Sequence, residues 1–383
     1  MNQIAIIAVT YNRVDSVTRL LKSLEEANYG DEKPTLIISI DKSKTDVMEV
    51  FADNYKWPHG EKIVRKHEKN LGLRNHMMSL GEWFDRFDTL VVLEDDIVVS
   101  PCFYTYVRQS SDKYMGSKDV CGISLYNFAR NYQTRMPFVP MTSEYDVYFI
   151  NCAMSWGEVW MKPQWQEFYQ WYLEHQDFPT EPHLPELICT WNKSWLKYHT
   201  KYCIEKNKYF LYPYVSLSSN NTDVGEHAGE GNSWGFQVSM QYGNKKTFNM
   251  PVKADEAVCY DGFFENKAIY KALRLEEKDC CIDLCGTQCN RLKKRYWLTL
   301  AHADFPIVES FALNYRPIEI NIIEKVKGKS IYLYDTNEQA YKVPVSKMLV
   351  LFLYNLEEIS MFVHQYGWRS FIKDAIKLLT RRL

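Results

Sequence analysis

At 383 residues, 46% of them hydrophobic and 25% charged, the chain has length for about two or three domains and ample material for packed cores, which excludes global disorder. A formal net charge of -2 and a pI near 6.5 leave no basic excess for gripping phosphate backbones, so nucleic acid is not an expected partner. The 15% aromatic share reads first as core filling and only second as sugar-stacking surface.

No basic leader precedes the first segment, and no stretch approaches the ~20 apolar residues of a membrane span. The expectation is a cytoplasmic protein whose 10 cysteines are mostly free thiols. Residues 4–9 form a short β-branched run with the composition of a buried strand. Asp15 or Ser16 is then expected to cap a helix whose Val17, Leu20, Leu21 and Leu24 recur at helical spacing. Residues 35–40 predict a second strand closing on Asp41. Helices are expected around 47–55 and 73–87, and another strand over 89–93. Strands alternating with helices predict an α/β fold built on a parallel, doubly wound sheet. Ligands of such sheets bind beyond the carboxyl ends of the strands. Three polar clusters fall there: Thr10-Tyr11-Asn12-Arg13, Asp41-Lys42-Ser43 and Glu94-Asp95-Asp96.

Residues 121–234 are rich in Trp and Tyr. Within them, 177–187 carries Pro179, Pro182 and Pro185 among Asp177, Glu181 and Glu186, the pattern of an active-site loop. After about Pro251 the character changes, which predicts a first domain over 1–250 and a smaller accessory region over 251–383. In the latter, 318–323 and 330–334 read as strands joined through Lys325-Val326-Lys327-Gly328. Cys280, Cys281, Cys285 and Cys289 form a cluster in which 281, 285 and 289 would lie along one helix face, a poor tetrahedron for zinc, and are expected to be buried reduced thiols. Residues 343–383 are amphipathic, mixing Leu349, Phe352 and Trp368 with Lys373, Lys377, Arg381 and Arg382. Such a helix lies on the inner face of an anionic membrane, docks on its own domain, or contacts a second copy. Oligomeric state stays open.

The acidic triplet carries the chemistry. Three adjacent acids are costly to hold together unless something neutralises them. Mn2+ or Mg2+ does so with one or two carboxylates, completing its shell with water and substrate phosphates. The same ion offsets charge on a diphosphate leaving group. A solvated acidic turn is the plainer reading, and the buried strand leading into the triplet favours the metal.

The run Ala8-Val9-Thr10-Tyr11-Asn12-Arg13 resembles the opening strand and turn of family 2-like glycosyltransferases of the GT-A fold. Leu93-Glu94-Asp95-Asp96, followed by Val98, Pro101 and Phe103, is most similar to the N-acetylglucosaminyltransferase I type, which begins complex N-glycan branching in the Golgi. The resemblance covers about residues 1–240. It implies a GT-A (Rossmann-like) mixed sheet flanked by helices, a nucleotide-sugar donor, Asp96 on the metal with Glu94 and Asp95 in support, and Asp41 with Thr10 on the nucleoside. Asn70-Leu71-Gly72-Leu73-Arg74-Asn75 resembles the segment from which a basic residue, here Arg74, approaches the donor. A His-Gly placed similarly in the family implies His227 on metal or phosphate, in a Gly- and Ser-rich stretch suited to a lid; a local hydrogen bond is the alternative.

The catalytic base departs from the pattern. An inverting transferase needs a carboxylate near the acceptor hydroxyl. The family supplies it from a Trp-Asp-Asp-Trp-like segment, whereas this chain reads Trp191-Asn192-Lys193-Ser194-Trp195. Asn192 cannot act as a base, so Glu186, with Glu181 and Asp177 behind it, is the candidate. The expected function is transfer from a nucleotide-diphosphate sugar, with UDP the expected nucleotide, to a glycan or lipid-linked glycan, which by analogy fits bacterial surface-polysaccharide synthesis. A sugar nucleotidyltransferase is the enzymatic rival, although residues 10–14 hold no glycine for a phosphate loop. The other rival is a non-catalytic glycan-binding scaffold.

Overall fold

The computed structural model describes residues 2–176, 181, 183–221, 223, 237–288, 293–337, 359–361, 363–365 and 367–379. The first strand, β1 (Ile4–Thr10), leads into α1 (Val14–Glu25), β2 (Thr35–Ile40), α2 (Val47–Asn54), β3 (Lys62–Lys66) and α3 (Gly72–Ser79). A 3-10 turn over Leu80–Asp85 precedes β4 (Thr89–Glu94), β5 (Ile97–Val99), α4 (Phe103–Tyr114) and β6 (Val120–Ser124). Next come β7 (Val147–Ile150), β8 (Glu158–Met161), α5 (Lys162–Glu174), α6 (Glu186–Cys189), α7 (Leu196–Glu205), β9 (Tyr209–Pro213) and β10 (Ser218–Asn220). The remainder supplies β11 (Cys259–Tyr260), α8 (Ala268–Leu273), β12 (Cys280–Asp283), β13 (Tyr296–Thr299), β14 (Ile307–Phe311), α9 (Ile320–Ile323), β15 (Ile331–Asp335) and α10 (Trp368–Leu379).

The fold is mixed α/β, with a nine-stranded sheet ordered β11-β7-β9-β6-β8-β4-β1-β2-β3 and flanked by helices. β3, β2, β1 and β4 run parallel, as the alternating pattern predicts. β8 then enters antiparallel between β4 and β6, so the sheet as a whole is mixed. Strand order reverses at β1, with β2 on one side and β4 on the other, and that switch point opens a crevice at the carboxyl ends.

Period-two alternation divides β1 between two cores. Ile4, Ile6 and Ala8 pack with α1 and α4, whereas Ala5, Ile7 and Val9 pack with α3, α5 and α7. On α1, Val17, Leu20, Leu21 and Leu24 are all buried. This helix begins earlier than its sequence suggests. Its flanking residue is Arg13, and neither Asp15 nor Ser16 caps it. Ser16 donates to Asp223 instead, at 2.6 Å, while Asp15 sits in the first turn, where the helix dipole favours an acid.

β12, β13, β15 and β14 form a second, four-stranded sheet. β11, although beyond Pro251, pairs with β7 in the large sheet. The expected strand over 318–323 is instead the short helix α9. Asn321 accepts from the Asn314 and Tyr315 amides and donates to the Tyr315 and Ile318 carbonyls, a local network that overrides the β-propensity of four isoleucines. The helix-face spacing of the cysteines is likewise not realised, because Cys280 and Cys281 lie in β12. Both are buried, and burial pushes the Cys280 thiol up to about 12. Every cysteine among the described residues is a free thiol; Cys289 lies outside them. Among the same residues, no helix is long and apolar enough to cross a membrane.

Candidate functional site

Parallel pairing aligns the strand ends, with Val9 opposite Glu94 and Thr10 opposite Ile40. The Asp41 amide continues the ladder by donating to the Thr10 carbonyl at 3.0 Å. The three polar clusters thereby share one cleft of about 840 Å³. Thr10, Tyr11, Asn12, Arg13, Asp41, Glu94 and Asp95 line it, together with Lys42, Asn70 and His76.

Asp41 is 4% exposed and accepts from three backbone amides: Lys42 at 2.9 Å, Leu71 at 2.8 Å and Gly72 at 3.0 Å. It therefore anchors the start of α3 and keeps acceptor capacity for a ligand hydroxyl, since a carboxylate has about four acceptor positions. Gly72 adopts φ +72°, a left-handed conformation that glycine enters without steric cost.

At the acidic turn, Arg13 forms an ion pair with Asp95 and reaches Asp96 Oδ2 at 3.1 Å. Thr10 donates to the other Asp95 oxygen at 3.0 Å. Burial, then the charges of Asp96 and Asp95, push the Glu94 carboxyl above the usual carboxylate range, against Arg13 and a Ser155 hydrogen bond. Burial also raises Asp95, opposed by its Arg13 pair. On β8, Glu158 sits opposite Val92, only 1% exposed, and accepts from Trp160 Nε1 at 2.5 Å; burial holds its carboxyl well above the usual range.

The donor set fits a hard divalent cation, with oxygen ligands only. One guanidinium reaching both Asp95 and Asp96 shows that the two carboxylates face a common position for positive charge. Among the described residues, the only acids and histidines that bring three ligand atoms within 4.8 Å are Glu181, His183 and Glu205. Those are already neutralised by the Lys201 ammonium, 2.5 Å from Glu181 and 3.5 Å from Glu205. The Glu94–Asp96 turn is thus no closed cage, which suits an ion sharing its shell with phosphate oxygens.

The segment after β9 reaches the same turn. β10 pairs antiparallel with β5, setting Asn220 opposite Ile97, and the Asn221 amide donates to the Asp96 carbonyl at 2.7 Å. Asp223 pairs with Arg19 on α1. The root of the expected lid is therefore fixed beside Asp96, whereas His227 lies outside the described residues, as does Asp177.

Arg74 donates to the Asn192 carbonyl and lies 5.0 Å over the Tyr198 ring. It ties the segment around Trp191 and Trp195 to the helix bordering the cleft. Glu186 is exposed at the start of α6, and Glu181 is committed to Lys201. The residue missed in the sequence is His76, 2% exposed, which pairs with Ser39 Oγ at 2.7 Å. Burial, then the neighbouring His67, lower its pKa to about 4.

No family model matches the chain, and neither does any curated protein. Among solved structures it is similar to S. aureus TarS 1-349, with 9% identity over 57% of this chain and 60% of that one and a TM-score of 0.37. It is also similar to the mannosyltransferase PcManGT from Pyrobaculum calidifontis in complex with GDP-Man and Mn2+: 11% identity, 59% and 58% coverage, TM-score 0.38. GalNAc-T7 with UDP, GalNAc and Mn2+ matches at 12% identity, 60% and 44% coverage, TM-score 0.41. The chain spans no more than 60% of the length of any of these three.

Proposed function

We propose that this chain is a metal-dependent, inverting glycosyltransferase of the GT-A type, moving a sugar from a nucleotide-diphosphate donor, with UDP the expected nucleotide, to a hydroxyl of a glycan or lipid-linked glycan. The observation that carries this reading is the convergence of Thr10, Asp41, Glu94 and Asp95 on one cleft at the sheet's switch point, with Asp96 joined to it through Arg13. Asp41 and Thr10 would hold the nucleoside, and Asp96, supported by Asp95 and Glu94, would hold Mn2+ or Mg2+. When bound, the ion offsets charge on the departing diphosphate. Arg13, which borders the same cleft, would supply a positive charge beside the phosphates. The acceptor hydroxyl attacks the anomeric carbon as the bond to the diphosphate oxygen breaks, and a carboxylate, assigned here to Glu186, takes its proton. His227 is a further candidate for metal or phosphate contact.

A screen of UDP-sugars for slow donor hydrolysis tests the assignment. Release of free sugar that requires Mn2+ and disappears in Asp96→Ala is the expected outcome; no release from any donor favours the second reading, a glycan-binding scaffold. That reading draws on the absence of an acid between Trp191 and Trp195.

A further inference from the structure

The helix α10, Trp368–Leu379, is amphipathic, and on its apolar side Trp368, Ile372 and Ile376 are exposed while Phe371 is half-buried. Trp368 is 63% exposed and Ile372 51%, and Met361, shortly before the helix, is 63% exposed. Trp368 meets Phe371 edge-on at 6.2 Å, so these rings pack on each other. At 100° per residue, positions 368, 371, 372, 375, 376 and 379 fall within one arc of the backbone, and positions 369, 373 and 377 fall outside it. An apolar stripe of this kind normally faces a core. Trp368 and Ile372 do not, which removes the docked-helix reading for these two residues.

Charge decides what covers it. Between 369 and 382 the sequence holds Arg369, Lys373, Lys377, Arg381 and Arg382 against a single acid, Asp374. A second copy would bring like charges together along the flanks of the stripe, whereas an anionic lipid surface complements them. Among the described residues no helix can cross a bilayer, so the arrangement suits a helix lying in the headgroup plane with Trp368 and Ile372 inward and Lys373 toward lipid phosphates. We infer that α10 is a membrane-surface anchor selective for anionic lipid. This goes beyond the donor-site reading and does not depend on it. Such an anchor would bring the cleft to an acceptor held at a membrane.

Sedimentation of the full chain with vesicles tests it. Phosphatidylcholine vesicles are compared with vesicles of roughly 7:3 phosphatidylcholine to phosphatidylglycerol, where binding should rise at least about tenfold. Salt at ~0.5 M should release most of the bound protein. Ile372→Glu and Lys373→Glu should each lower binding at least about fivefold, with circular dichroism and UDP titration unchanged. Equal recovery on both vesicle types, or Ile372→Glu binding like the parent, overturns the inference. So does a dimer in light scattering that Ile372→Glu dissociates, since the stripe would then belong to a second copy. Failure of the donor-site reading would leave all these vesicle results standing.

Discussion

Arg13 couples the turn after β1 to the acidic turn after β4, and its two carboxylate partners are the groups assigned to the metal. Arg13→Gln should therefore leave Asp95 without its counter-charge. Asp95 is 6% exposed and Arg13 25%, so the loss is about 2 kcal/mol, a buried-pair value discounted for the arginine's exposure. Differential scanning fluorimetry should show a lower melting temperature without metal and a larger gain on adding Mn2+ than in the parent. His76 gives a pH signature. Its folded pKa of about 4 lies below the ordinary histidine value, so the stability it supports is present above pH ~6.5 and lost as pH falls toward ~4. His76→Gln should flatten that part of the acid-unfolding profile relative to the parent; an unchanged profile contradicts the burial argument. For the base, Glu186→Gln should cut transfer at least about a hundredfold while leaving donor affinity alone. Glu181→Gln, which breaks the Lys201 pair, should act on stability instead.

At the scale of elements, the strand-turn units were legible because each combines a short β-branched run with a polar stop. β1, β2 and β4 lie within a residue or so of their expected bounds. Registers then follow from parallel pairing, which is why the strand-end clusters could be foreseen to meet. What stayed hidden depends on tertiary partners. Ser16 is drawn to Asp223, more than two hundred residues away, rather than to its own helix end. Asn321 ties down the short helix α9 where isoleucines alone would make a strand, and the entry of β8 between β4 and β6 has no local signal. His76 was hidden because a lone histidine on a helix carries no pattern until the partner strand is in place. Gly72 tests the junction of β2 and α3. Apart from its chain neighbours and its own helix backbone, no atom lies within 4 Å of the position its Cβ would take, so Gly72→Ala meets open space and only conformational strain. Urea unfolding should show a loss of about 1–2 kcal/mol, together with weaker UDP binding as the Asp41 anchor shifts.

At the scale of the whole molecule, one cleft at the switch point and one anchored segment beside Asp96 lie at the large sheet's parallel half. The second sheet joins through buried acids: Glu319 accepts from Asn266 at 3.0 Å and Glu265 accepts from the Cys285 amide at 2.9 Å. These bonds fasten the accessory strands to the β11 end of the large sheet, away from the strand at which its order reverses. The central claim is that the acidic turn binds a divalent ion together with a nucleoside diphosphate. Isothermal titration of UDP with and without Mn2+, in the parent and in Asp96→Ala, addresses it most directly. Binding in the parent that strengthens at least about tenfold with Mn2+, and an Asp96→Ala variant that loses this enhancement, is the predicted result. UDP binding indifferent to Mn2+, or equal in both proteins, would contradict it.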